Sequence, residues 1–306
     1  MRKITLAIFG IFCFVMCSAQ SKEVETDMIR VVVQPIAEVG KTLDFSVIFS
    51  SKAEISFAEI DIIDGLTLNS NYIFERGEDF HWLYTDAVPQ RLGKIEIPSF
   101  SITIDGVEHQ SRPFYINVVE NITIDENSVR TVLVLDREVY RLQDTIRMSL
   151  FQYSKFSRTE AQVIPNDITS IESTEEGVLH LPRVTFTVRE LTGIANIEEF
   201  SDEVLKWYHL KFHRFPFSDF GRHNRRMATL NGETYIKTEL VRLYFIANQK
   251  GTFRFEPSMF DFTIERSRAD FTDRLTINEY GGLTVSPPQH NNILRVVSNP
   301  IEIVVR

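Results

Sequence analysis

Cysteine is nearly absent from the 306 residues: the chain has two, Cys13 and Cys17. Both fall within residues 1–19, so a chain shortened there has no disulfide, no thiol nucleophile and no cysteine metal ligand. Long apolar runs are also missing. The longest, Ile4–Met16, is too short to span a bilayer comfortably. An excess of positive charge is missing too: the formal net charge is -9, which disfavours a nucleic-acid role. No Gly-x-Ser-x-Gly elbow, nucleotide fingerprint or glycine-rich phosphate loop occurs, so nucleophilic hydrolysis and nucleotide chemistry lack their local signatures. Helical periodicity is confined to one stretch. These absences point to a non-enzymatic chain that needs no metal or other cofactor.

What the N-terminus does have is a leader. Arg2 and Lys3 precede the apolar run, and Cys17-Ser18-Ala19 offers small residues for cleavage before Gln20. Residues 1–19 therefore read as a signal peptide and the remainder as exported, with a bacterial periplasm as the expected compartment. Cys17 is the alternative lipid-attachment site, although Met16 stands where a lipoprotein signal normally has a small residue. Without the leader the balance is 31 basic against 42 acidic residues, or -11, which aids solubility and repels anionic surfaces.

The body of the chain is written in short alternating strands. Leu43, Phe45, Val47 and Phe49 share one face, and Ile29–Val33 precedes them as their antiparallel partner. Ile55–Ile63 is a further strand candidate, closed by Asp64-Gly65. Phe100, Ile102 and Ile104 align before Asp105-Gly106, and Phe114–Val119 closes the set. Residues 20–120 thus make one immunoglobulin-like β-sandwich. Residues 121–128 read as a polar linker, and 129–306 as a second sandwich.

The second half repeats the first. WLYTDAVPQRLGKIEIP (82–98) and NGETYIKTELVRLYFIANQKGTFRFEP (231–257) each read as a hairpin turning at glycine. Val129–Leu135 and Thr145–Tyr153 repeat the opening pair, and SNPIEIVV (298–305) repeats the ending SRPFYINVV (111–119). The expected fold is all-β: two tandem immunoglobulin-like sandwiches. The second carries insertions at 191–227 and 265–292. Within the first insertion Asn196–Phe212 has helical spacing, with Ser201 as N-cap; the second reads as a turn-rich loop.

The first insertion holds the candidate binding residues. Trp207, Tyr208, Phe212, Phe215 and Phe217 are interleaved with Arg214, Arg222, Arg225 and Arg226. Mixed aromatic and arginine side chains are what interface hot spots are made of. His209 and His213, four apart, and His223 have the outline of a metal site. The surrounding Lys206, Lys211 and Arg214 oppose a cation, and no glutamate follows His209 as a zinc peptidase helix requires. Asp61, Asp64, Glu75, Glu78 and Asp79 read as solvated loop ends.

Four phrases carry a family resemblance. They are RLGKIEIP with the following SITIDG (91–106), VLDREVYRLQDTI (134–146), NGETY (231–235), and RLYFIANQKGTFRFEP closing into SNPIEIVV. In this order the chain resembles the BatD family of the Bacteroides aerotolerance (oxygen-tolerance) group. The resemblance implies tandem immunoglobulin-like domains in the periplasm, without catalytic residues. It also implies envelope-protein partners: membrane-bound von Willebrand A domain proteins and tetratricopeptide-repeat proteins. Family members commonly end in a transmembrane helix, whereas here the second module runs to Arg306. The alternative reading is a carbohydrate-binding or accessory glycosidase domain, whose mark is a cleft with a coplanar aromatic row.

Overall fold

The computed structural model describes residues 28–49, 63–71, 73–76, 80–104, 106–163, 178–181, 186–191, 194–200, 225–247, 250–255, 257, 259–267, 269–270, 273–286 and 293–306. Its first half contains β1 (Ile29–Val33), β2 (Ile36–Glu38), β3 (Leu43–Phe49), β4 (Leu66–Leu68), β5 (Ile73–Arg76), β6 (His81–Pro89), β7 (Gly93–Ile97), β8 (Ser101–Ile104), β9 (Val107–Gln110) and β10 (Phe114–Val119). The second half opens with β11 (Val129–Leu135), β12 (Val139–Tyr140), β13 (Thr145–Ser154), β14 (Arg158–Val163), β15 (Val178–Leu181), β16 (Phe186–Leu191), β17 (Ile194–Phe200) and β18 (Arg226–Leu230). It continues with β19 (Glu233–Ile246), β20 (Gly251–Phe255), β21 (Met259–Glu265), β22 (Leu275–Ile277), β23 (Leu283–Val285), β24 (Ile293–Val297) and β25 (Ile301–Val305).

The alternation in β3 decides the first sandwich. Leu43, Phe45, Val47 and Phe49 all turn inward and are buried. β3 pairs antiparallel with β1 on one side and β6 on the other, giving the sheet β1-β3-β6-β4 with β5 also on β6. The facing sheet is β2-β10-β7. Between them lies a core of Phe45, Ile95, Ile97 and Ile116 among others. Each fully buried side chain of this size contributes roughly 1.5–3 kcal/mol. The chain changes sheets at Gln34-Pro35, where proline has no N–H to donate to a ladder. β2 then runs parallel to β10, with Ile36 opposite Asn117.

The second sandwich repeats the centre of that plan. β11-β13-β19 corresponds to β1-β3-β6, and β12-β25-β20 to β2-β10-β7, while β15 is added at the edge of the second sheet. β12 again runs parallel to the closing strand, with Val139 opposite Val304. Two facing sheets, antiparallel at their centres, whose opening strand crosses to join the closing one in parallel make an immunoglobulin-like sandwich. Its core gathers Tyr140, Phe156, Phe260, Phe262 and Ile264. β21 brings three of these and belongs to a further sheet, β17-β16-β14-β21-β24. The turns correspond as well. The Gly40 N–H bonds the Pro89 carbonyl at 2.9 Å and the Gln143 N–H bonds that of Ala247 at 2.6 Å. Both residues are left-handed, at φ 74° and 68°.

The two sheets of the second sandwich are also stapled by one side chain. Asn299, just before β25, accepts from the Leu133 N–H at 2.8 Å and donates to the Leu133 carbonyl at 3.0 Å. It thus stands in as a strand neighbour for the middle of β11.

Four expectations need correction. β6 and β7, and likewise β19 and β20, lie in different sheets, so the glycine turns connect sheets and do not close hairpins. Each strand has one apolar face, and burying both faces against each other across the sandwich satisfies the pattern without edge pairing. Asn231-Gly232 closes a true hairpin between β18 and β19, with φ 52° and 81°.

The helical reading of Asn196–Phe212 fails over Asn196–Phe200, which belongs to β17 and pairs with β16; residues 201–212 lie outside the described residues. In the second insertion, read as a loop, Leu275–Ile277 and Leu283–Val285 form a hairpin. Residues 121–128, read as a polar linker, include the buried Ile122 and a turn in which the Ser128 N–H bonds the Asp125 carbonyl at 3.0 Å.

Candidate functional site

Of the predicted binding residues, Trp207, Tyr208, Phe212, Arg214, Phe215, Phe217 and Arg222 lie outside the described residues, as do His209, His213 and His223. Arg225 and Arg226 are described, both half-buried, at the start of β18. The register carries Arg226 into a row across the whole sheet. Arg226 stands opposite Lys237 on β19, Lys237 opposite Tyr153 on β13, and Tyr153 opposite Arg130 on β11. Directly opposed residues share a face, about 5 Å apart. Four strands therefore carry one continuous line of half-buried cations and one buried aromatic.

The strand period explains this face. On β19, Ile236 and Leu240 turn one way into apolar clusters, leaving Tyr235, Lys237 and Glu239 on the other face. Opposite β13, β19 carries one extra residue, Leu240, so that Leu150 faces Val241 and Phe151 faces Glu239. The Lys237 ammonium lies 4.2 Å from the Phe151 ring centre and 5.6 Å from that of Tyr153. Such contacts contribute about 0.5–2 kcal/mol according to their exposure. Tyr153 and Tyr235 meet edge to face, 6.2 Å apart at 90°. That pair is perpendicular, the opposite of the coplanar row a sugar-stacking site requires.

One end of the face is electrostatically tied. The Tyr235 hydroxyl donates to Glu233 Oε2 at 2.7 Å, and Lys155 Nζ lies 3.0 Å from the same oxygen. The Tyr235 hydroxyl, followed by Lys155, holds the Glu233 carboxyl below its ordinary range. Burial, followed by the hydrogen bond to Glu233, pushes the Tyr235 phenol up to about 12. The Arg130 guanidinium donates to the Asn127 side-chain carbonyl. Ser149 donates to Glu239 at 2.7 Å. Cations outnumber carboxylates along this face, although the chain as a whole is acidic.

Lys155, Lys237, Tyr153 and Tyr235 were not among the residues singled out from the sequence. The signal available was the two-residue alternation Tyr235, Lys237, Glu239 in a strand whose other face is apolar. Among the remaining candidates, Asp64 is an exposed loop-end carboxylate 3.1 Å from Arg91. Asp61, Glu78 and Asp79 lie outside the described residues, and Glu75 belongs to β5. Among the described residues no three His, Cys, Asp or Glu side chains gather as metal ligands, and no helix is long and apolar enough to cross a membrane.

No family profile and no curated protein matches the chain. Solved structures that align with it include the Yersinia pseudotuberculosis adhesin InvE, at 12% identity and a TM-score of 0.22, over 89% of this chain and 58% of that one. The Escherichia coli adhesin FdeC aligns at 10% identity and a TM-score of 0.21, over 88% of this chain and 64% of that one. Invasin, a bacterial integrin-binding protein, aligns at 10% identity and a TM-score of 0.19, over 86% of this chain and 54% of that one. The chain thus spans little more than half to two thirds of each of these structures. With TM-scores of this size, the likeness adds no argument to the topology described above.

Proposed function

We propose that this chain is an exported, non-catalytic protein-interaction module of the bacterial cell envelope, BatD-like, acting from the periplasm. Its second sandwich docks an acidic partner domain; a membrane-bound von Willebrand A domain is the first choice and a tetratricopeptide-repeat protein the second. The process it serves is stress or oxygen tolerance. The observation that carries this reading is the Arg226–Lys237–Tyr153–Arg130 row, which opens where the aromatic and basic insertion ends. A cationic and aromatic line on a paired sheet is a rigid surface complementary to a carboxylate-rich one. The leader supports export, and the resemblance of the four phrases to the BatD family supports the class of partner.

The experiment is co-purification of a von Willebrand A domain protein with this chain. Arg222→Glu, Arg225→Glu and Arg226→Glu combined should abolish recovery, because reversed charges facing an acidic partner repel it. A circular dichroism spectrum unchanged from the parent shows that the sandwiches persist. Unchanged recovery with the triple variant overturns the assignment of this surface. Absence of a von Willebrand A domain or tetratricopeptide-repeat protein from wild-type complexes overturns the partner class.

A further inference from the structure

Two sandwiches joined in tandem swing relative to one another unless their interface is extensive or specifically fastened. Here the fastening centres on Gln34, at the point where the first sandwich's opening strand changes sheets. Its side chain is 4% exposed. Nε2 donates to the Ile36 carbonyl at 2.7 Å and to the Arg266 carbonyl at 2.9 Å, while Oε1 accepts from the Ser157 N–H at 3.2 Å. Ser157 follows β13 and Arg266 follows β21, so one amide grips two separate corners of the second sandwich. Both corners are themselves held. Ser154 bonds the Phe156 N–H and carbonyl, and the Arg266 N–H bonds Asp270 at 3.0 Å.

Two more attachments lie away from Gln34. Val32, Ile48 and Trp82 of the first sandwich form one buried cluster with Ile236 of the second, and Met227 packs against it. On the connecting segment, Ile122 is buried in the second core while its N–H bonds Glu38 of the first sandwich at 2.9 Å. Ile36 and Val119 of the first sandwich also pack against that second core. Fastenings at several separate points oppose both bending and twisting.

We propose that the two sandwiches form one rigid body and that Gln34 is its lock. The residue type follows from the site. An amide supplies donors to two carbonyls and an acceptor to an N–H. Gln34→Ala leaves those buried groups unpaired, and Gln34→Glu sets a carboxylate oxygen against two carbonyl oxygens. The inference is independent of what the protein binds.

The test is a distance distribution from double electron–electron resonance. Spin labels go at Tyr115→Cys on β10 and Val297→Cys on β24, both exposed strand positions, with Cys13 and Cys17 replaced by serine. The parent is expected to give a single narrow peak. Gln34→Ala and Gln34→Glu are expected to broaden it, with circular dichroism still reporting folded sandwiches. A broad or multiple distribution in the parent overturns the rigid body, whether or not either variant folds. A narrow peak retained in both variants overturns the role of Gln34.

Discussion

Replacing Asn299 by alanine removes both bonds by which that side chain completes the middle of β11. The Leu133 N–H and carbonyl each lose a partner, at 2.8 and 3.0 Å, and a donation to the Pro300 carbonyl at 3.2 Å is lost as well. A net hydrogen bond contributes about 0.5–1.5 kcal/mol. Leu133 is buried, but Asn299 sits at the exposed rim, where water replaces part of what is lost. The expected cost is therefore about 1–2 kcal/mol for the two main bonds together. For a unit of this size that lowers the melting temperature by roughly 2–8 °C.

The assay is urea and thermal unfolding followed by circular dichroism. The urea slope should be unchanged, since no surface is newly exposed in the native state. Asn299→Asp sharpens the test. Aspartate keeps the acceptor for the Leu133 N–H but turns an oxygen toward the Leu133 carbonyl, so it should be no more stable than the alanine variant. An alanine variant as stable as the parent, or an aspartate variant that equals it, refutes the view that Asn299 acts as a surrogate strand.

Gln143→Gly should stabilise the second sandwich by about 1 kcal/mol, because Gln143 is held at φ 68° where glycine is unstrained. The reverse change, Gly40→Gln, should cost a similar amount in the first; space does not oppose it, since a Cβ there meets nothing within 4 Å. Thermal unfolding of the two variants measures both, and shifts of the same sign would show that the backbone angle is not the cause. Tyr235 contributes to alkaline stability, alongside Tyr140, whose phenol is also pushed up by burial and Asp136. The folded pKa of Tyr235, about 12, exceeds the unfolded value of about 10, so its contribution is complete below pH ~10 and is lost as pH rises through ~12. Unfolding free energies measured across that window should fall less steeply in Tyr235→Phe than in the parent, and identical slopes would refute the coupling.

Much of the frame was legible because a strand with one buried face writes itself in alternation. Leu43–Phe49, Phe114–Val119 and Val129–Leu135 occupy the ranges their residues indicated. Alternation does not reveal which edge a strand pairs with, and so β6 with β7 and β19 with β20 were read as hairpins. Nor does it survive a bulge. Between β16 and β17 the register passes from Glu199 opposite Thr187 to Ile197 opposite Val188, skipping one residue. The helical spacing itself lay in Val204, Leu205, Tyr208 and Phe212, outside the described residues, and was extended back over Asn196–Phe200, which is strand. The Leu275–Ile277 hairpin was hidden differently, in a segment whose glycines and polar residues dominated the pattern. Of the row proposed here, Arg226 was singled out by composition, while Lys237, Tyr153 and Arg130 were not. Their relation is a register across four strands, and no local window contains it. Gln34 carries no signal at all, since two of its three partners, Ser157 and Arg266, are brought to it only once both sandwiches are built.

The parallel pairing of β2 with β10, and of β12 with β25, has a mechanical consequence. Each sandwich joins its entering strand to its leaving strand side by side and in the same direction. Tension drawn through the chain pulls the two strands of such a pair lengthwise past one another. The bonds between them are then loaded together in shear, whereas an end-on pull on a hairpin opens its bonds one after another. Either sandwich would resist stretching at the place where its chain enters and leaves.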